Sequence, residues 1–191
     1  MKRCMKLLIA LCLAMAAGGS PCGLLAQVTS YPRGASDAAK YLGDVHQDQA
    51  NGFSIRPPAQ WWLDAKNPRF AVMFADRGYQ AYVIVDVVKI PGDARMDRDF
   101  LKFIAEKNKE VKEMIPSFSV LSNRTARLGR GTAAYRTEAT FQAGPNTVLM
   151  NIYYVSGKSK VFMITTVCPE ATARTWEPLF QACLATFTPL D

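Results

Sequence analysis

The chain has 191 residues, 49% of them hydrophobic and 20% charged, with a formal net charge of +7. That composition suits one globular domain with a well-buried core and excludes a disordered or fibrous chain. Lys2, Arg3 and Lys6 belong to a leader without acidic residues; setting them aside leaves +4, with Lys and Glu interleaved, which argues against nucleic-acid binding.

The leader reads as an export signal. A basic start is followed by the apolar run Leu7 to Ala17 and then by Gly18, Gly19, Ser20 and Pro21. The run is well short of the roughly 20 residues that cross a bilayer as a helix. Residues 1–26 are therefore expected to be a signal peptide cleaved after Ala26, leaving no transmembrane segment and a periplasmic or secreted protein. Pro21 argues against a lipid-modified Cys22. Residues 27–43, with Pro32 and Gly34 and no sustained period, read as a flexible linker with at most a short helical turn.

The domain is expected over 44–191. Gly52 to Arg56 alternates as a first strand and stops at Pro57-Pro58, where ring nitrogens remove backbone donors. Phe70 to Phe74 and Gln80 to Ile90 flank the turn Asp76-Arg77-Gly78 and form a hairpin pattern. The second of these runs, β-branched on both alternating faces, reads as a strand buried from both sides. From Asp97 the period changes to about 3.6, placing Leu101, Ile104, Val111 and Ile115 on one helical face with Asn108 as its polar member. Asp93 or Asp97 can cap this helix and Pro116 ends it.

Four further strands are expected over 117–128, 132–142, 147–155 and 160–168, each joined to the next by a Gly-bearing turn. They make an antiparallel meander. A last helix, starting near Thr172 or Thr175, places Trp176, Leu179, Phe180, Cys183 and Phe187 on one face, and Pro178 fits its first turn. The fold class is thus α+β, an antiparallel sheet of about 6–7 strands flanked by two helices.

Removing the leader leaves two cysteines, Cys168 and Cys183. In an oxidising compartment they are candidates for a disulfide closing a loop of about 15 residues, worth roughly 3 kcal/mol. The competing reading is two small buried hydrophobes that never meet.

Motifs that spell familiar chemistry lack its context. Gly129-Arg130-Gly131-Thr132-Ala133-Ala134 has the letters of a dinucleotide loop, but a strand follows where a helix must begin. Gly157-Lys158-Ser159 ends like a phosphate loop without its leading glycine, since position 152 is Ile152. His46 is the single histidine, so a hydrolase triad or dyad would have to use it. Asp44, His46 and Asp48 would share a face of an extended segment and could ligate zinc or manganese. Asp86, in the middle of the doubly buried strand, needs a cation or donor, and Arg136 or Arg127 is a candidate partner. Trp61 and Trp62 could form an aromatic binding rim, or pack at the edge of the core.

The stretch Asn51-Gly52-Phe53-Ser54-Ile55-Arg56-Pro57-Pro58-Ala59-Gln60-Trp61 resembles the opening of PsbP-like domains. The likeness continues through Ala71 to Ala75, Ala81 to Val88, one long helix, a meander with Gly131 and Ala134 before Tyr135, and a final helix ending in Ala185-Thr186-Phe187. It covers roughly 45–188. It implies the α-β-α sandwich shared by PsbP, the Ran-binding Mog proteins and DcrB-like envelope proteins. It also implies a non-enzymatic binding or assembly module, without cofactor or catalytic residues, meeting a protein partner at the cell envelope. A divalent-metal protein using Asp44, His46 and Asp48, and a small hydrolase, are the alternatives.

Overall fold

Strands form where β-branched and aromatic residues alternate, and the hairpin turns between them set the pairing. The computed structural model describes residues 35–66, 70–90 and 98–190; the leader with Cys22 and the helix-cap candidates Asp93 and Asp97 lie outside them. Helix α1 (Ala35–Ala38) runs into a 3-10 turn, followed by β1 (His46–Asp48), β2 (Phe53–Ile55), β3 (Trp62–Asp64), β4 (Val72–Ala75) and β5 (Tyr82–Lys89). After α2 (Arg98–Met114) come β6 (Ser119–Arg127), β7 (Ala133–Ala143), β8 (Asn146–Gly157), β9 (Lys160–Pro169), α3 (Ala173–Leu184) and β10 (Thr188–Pro189).

Seven strands form one antiparallel sheet in the order β3-β4-β5-β9-β8-β7-β6. The expected hairpin and the expected meander are both present. The doubly buried strand is β5, held between β4 and β9, with Val85 opposite Val72 on one side and Ile164 on the other. Its first half is buried on both faces, and its second half, from Asp86 on, is partly open.

Side-chain alternation divides the core between the two faces of this sheet. One face, carrying Met73, Tyr82, Ile84, Met150 and Ile152, is covered by Phe100, Ile104 and Val111 of α2 and by Ile115 just after it. Leu101, expected in that stripe, is 47% exposed, and Phe100 takes its place. The rest of the stripe is as expected, with Ile104, Val111 and Ile115 buried, so the difference is confined to the first turn of α2. Asn108 does face the sheet, donating to Thr137 Oγ1 at 3.3 Å and accepting from Tyr154 Oη at 3.2 Å.

The other face, carrying Phe74, Val83, Val85, Phe162 and Ile164, packs against α3 and a second sheet. That sheet has the order β1-β2-β10. The expected first strand belongs to it rather than to the main sheet, because Ser54 pairs with both Gln47 and Thr188. Phe53, Phe162 and Phe187 lock the two sheets together, with ring centroids 5.4 to 6.2 Å apart. Each such ring stabilises the fold by roughly 2 kcal/mol through burial. All five residues assigned to the apolar face of α3 are buried. Pro178, however, is the sixth residue of the helix rather than part of its first turn, so the amide that would meet the Arg174 carbonyl is missing.

Two boundaries differ from the reading of the sequence. Part of the expected linker, 35–43, is docked on the domain, with Ala38 and Leu42 in the core beside α3. The residues after Trp61, where no strand was expected, form β3, an edge strand on β4. Its three residues are too few to show a period.

Candidate functional site

The residues singled out in the sequence do not gather at one place. His46 and Asp48 lie on β1, where the imidazole packs edge-on to Phe74 at 5.5 Å and near Phe53 at 6.2 Å. The Asp48 carboxylate is occupied by Asn51, accepting from its backbone N–H at 2.9 Å and from Nδ2 at 2.7 Å. Among the described residues no three His, Cys, Asp or Glu side chains converge into a metal-ligand set, so Asp44, His46 and Asp48 are not assembled as one. The two tryptophans separate. Trp61 packs T-shaped against Trp176 at 5.9 Å and Phe180 at 6.3 Å, whereas Trp62 stays 47% exposed beside Tyr79.

Cys168 and Cys183 are buried free thiols, and the bridge expected between them is not formed. Burial pushes both thiols up to about 12, with Glu177 adding to the effect at Cys168. They behave as small hydrophobes rather than as nucleophiles. Asp86 faces α2, not Arg136 or Arg127: its carboxylate accepts from the Val87 N–H at 2.8 Å, and its nearby cation is Lys107. Burial raises its pKa more than these two lower it. Lys107 itself reaches both Glu110 oxygens at 3.0 Å. The glycine motif is a turn. Gly131 has φ +80°, and the Leu128 N–H donates to the Thr132 carbonyl at 2.8 Å, closing the β6–β7 connection.

Two other features have the make-up of sites. The first is the outer edge of β3, where Trp62 and Leu63 are 47% and 46% exposed and Tyr79 is 51% exposed beside them. Large apolar side chains on an open strand edge are a recognised interaction surface. The second is a recess of about 200 Å³ between the β6–β9 half of the sheet and α3.

Strand alternation builds the floor of that recess. Arg136 on β7 lies opposite Arg124 on β6 and Tyr153 on β8, and Glu138 lies opposite Asn151. Asn151 in turn lies opposite Thr166 on β9, and Leu149 opposite Cys168. The Arg136 guanidinium donates to Asn151 Oδ1 from Nε at 3.1 Å and from Nη2 at 2.8 Å. Nη2 also meets Glu138 Oε2 at 2.7 Å, and the guanidinium carbon sits 5.8 Å from the Tyr153 ring centre. From α3, Gln181 Nε2 donates to Tyr153 Oη at 3.3 Å, and Glu177 and Phe180 form the wall. Burial raises the Tyr153 hydroxyl above its usual range, with Arg136 and the Gln181 hydrogen bond pulling it back.

The sequence carries one signal for this recess. Arg136 and Glu138, then Asn151 and Tyr153, occupy alternate positions in two neighbouring strands, so each pair shares a face. The α3 residues Glu177 and Gln181 carry no such signal, because nothing local says which strands their helix crosses.

An antiparallel sheet covered by α2 on one side and by α3 with a small second sheet on the other is a PsbP-like α-β-α sandwich. A solved structure shares this fold. Cyanobacterial PsbP (CyanoP) from Synechocystis sp. PCC 6803 superimposes with a TM-score of 0.60 at 17% identity, covering 89% of this chain and 99% of that one. A Bacteroides thetaiotaomicron protein matches at 0.50 and 14% identity over 73% of this chain, which spans 45% of it. LpqN, involved in cell envelope biogenesis of Mycobacterium tuberculosis, reaches 0.49 at 14% identity over 83% and 98% of the two chains. At these identities the likeness shows the fold alone. No family model matches the sequence, and no curated protein matches it either. Among the described residues no helix is long and apolar enough to cross a membrane.

Proposed function

We propose that this chain is an exported, non-enzymatic binding or assembly module of the PsbP-like type, working in the periplasm or at the cell envelope. The observation that carries this reading is the open edge of β3 with Trp62, Leu63 and Tyr79 exposed beside it. Tryptophan and tyrosine are enriched among residues that dominate protein–protein affinity. The unpaired backbone groups of an edge strand accept an extended segment of a partner as a further strand. Export is supported by the basic leader and the apolar run that follows it. The binding or assembly role is what the sequence resemblance to PsbP-like domains implies, and the sandwich fold shared with cyanobacterial PsbP supports that resemblance.

The reading is tested by placing a photo-crosslinking residue at position 62 or at Lys109, an exposed position on α2, in cells expressing the full chain. A defined adduct in the envelope fraction from position 62 and none from position 109 is expected. Equal adducts from both positions, or none from either together with reproducible turnover of a small substrate, would overturn it.

A further inference from the structure

We propose that the recess beneath α3 binds a small zwitterion of the amino-acid class, its carboxylate on the Arg136–Asn151 floor and its ammonium toward Glu177. Among the described residues, every buried side-chain nitrogen or oxygen shut off from solvent has a hydrogen-bond partner. Arg136 commits Nε and Nη2 to Asn151 and Glu138, and no described residue accepts from its Nη1. Nη1 therefore reaches solvent although the side chain is only 13% exposed, and the recess that Arg136 lines is where it does so.

The same reasoning applies to its neighbours. A guanidinium can only donate, so Asn151 turns Oδ1 toward Arg136 and leaves Nδ2 as an uncommitted donor at a buried residue. Tyr153 Oη accepts from Gln181 and keeps its own proton to give. Thr166, also buried, lines the recess with its hydroxyl uncommitted to any described residue. These donors, one of them fully charged, suit a ligand oxyanion.

Glu138 and Glu177 at the same recess restrict which oxyanion fits. Arg124 and Arg136 are balanced there by Glu138 and Glu177, so the recess has no surplus of positive charge for a dianionic phosphate, whereas a carboxylate carries a single charge. Among the described residues Glu177 forms no salt bridge, so its exposed carboxylate at the wall of the recess is available to a ligand ammonium. The recess, at about 200 Å³, has room for a small amino acid. The site is separate from the β3 edge, which closes the opposite end of the sheet from β6.

The test is heteronuclear NMR and calorimetry on the full chain with three probes. L-serine carries both charges, L-lactate only the carboxylate and ethanolamine only the ammonium. L-serine is expected to shift the Asn151 and Gln181 side-chain amide signals saturably, with lactate and ethanolamine at least tenfold weaker. Glu177→Gln, at an exposed position that leaves the core intact, should weaken serine about tenfold and leave lactate unchanged. Three results would each overturn the proposal: lactate or inorganic phosphate binding as tightly as serine, Glu177→Gln weakening serine and lactate alike, or no saturable shift with L-serine, L-alanine or L-glutamine.

Discussion

The Ala185 carbonyl occupies the space where a side chain on Gly129 would begin. The turn between β6 and β7 is thereby seated against the C-terminal end of α3, so a glycine whose letters suggest a nucleotide loop is required by packing. Gly129→Ala should destabilise the protein by about 3 kcal/mol, since the obstructing group is backbone and cannot rotate away. Gly131→Ala, at φ +80° but meeting only Arg127 Nη1 at an ordinary contact distance of 3.9 Å, should cost about 1 kcal/mol. Urea denaturation of the two variants checks the order, and equal costs would contradict the seating of the turn.

The adjacent tryptophans should differ sharply in their contribution. Trp61→Ala removes an indole packed on Trp176 and Phe180 and should cost about 3 kcal/mol. Trp62→Ala removes an exposed ring and should cost about 0.5 kcal/mol while abolishing any partner contact at the β3 edge. Melting curves set beside crosslinking yields separate the two effects.

At Asp86 the folded state holds the carboxyl above its usual range, chiefly through burial. In the window above 3.8 the folded protein therefore binds more protons than the unfolded chain, and stability falls as pH rises through it. Asp86→Asn should melt at a higher temperature than wild type at pH 7, with the difference shrinking as pH falls toward 3.8. Thermal scans between pH 4 and pH 7, as flanking pH values chosen about the usual carboxylate range, read this directly. A variant less stable at neutral pH would instead make the attraction to Lys107 the larger effect.

For Cys168 and Cys183 the expected signature is alkaline. The unfolded chain ionises its thiols near 9, while the folded chain holds both near 12. Stability should fall as pH rises from about 9, by up to about 1.4 kcal/mol per pH unit for each thiol. Neither thiol should react with a soluble disulfide reagent at neutral pH until denaturant is added. An unchanged intact mass on reduction confirms that the two are not bridged.

Within the main sheet most elements were readable one by one. The β4–β5 hairpin, the β6–β9 meander, α2 and the apolar face of α3 follow from alternation, helical periodicity and turn residues within a few positions of one another. Leu101 and Phe100 show the limit of that reading: which of two adjacent apolar residues in the first turn of α2 is buried is decided by the sheet beneath. β3 was not legible, because three residues acquire strand geometry only by pairing with β4.

By itself the sequence determined the basic, apolar leader, the α+β element order, the antiparallel hairpins and the lack of the strand–turn–helix context that nucleotide chemistry needs. Those properties arise from residues close together along the chain. Only the tertiary structure decided that Ser54 pairs with Thr188, that Asp86 answers to Lys107, and that Arg136, Asn151, Tyr153 and Gln181 meet beneath α3. Such contacts join positions far apart in sequence, and they are selected by which faces can be buried together rather than by any local pattern.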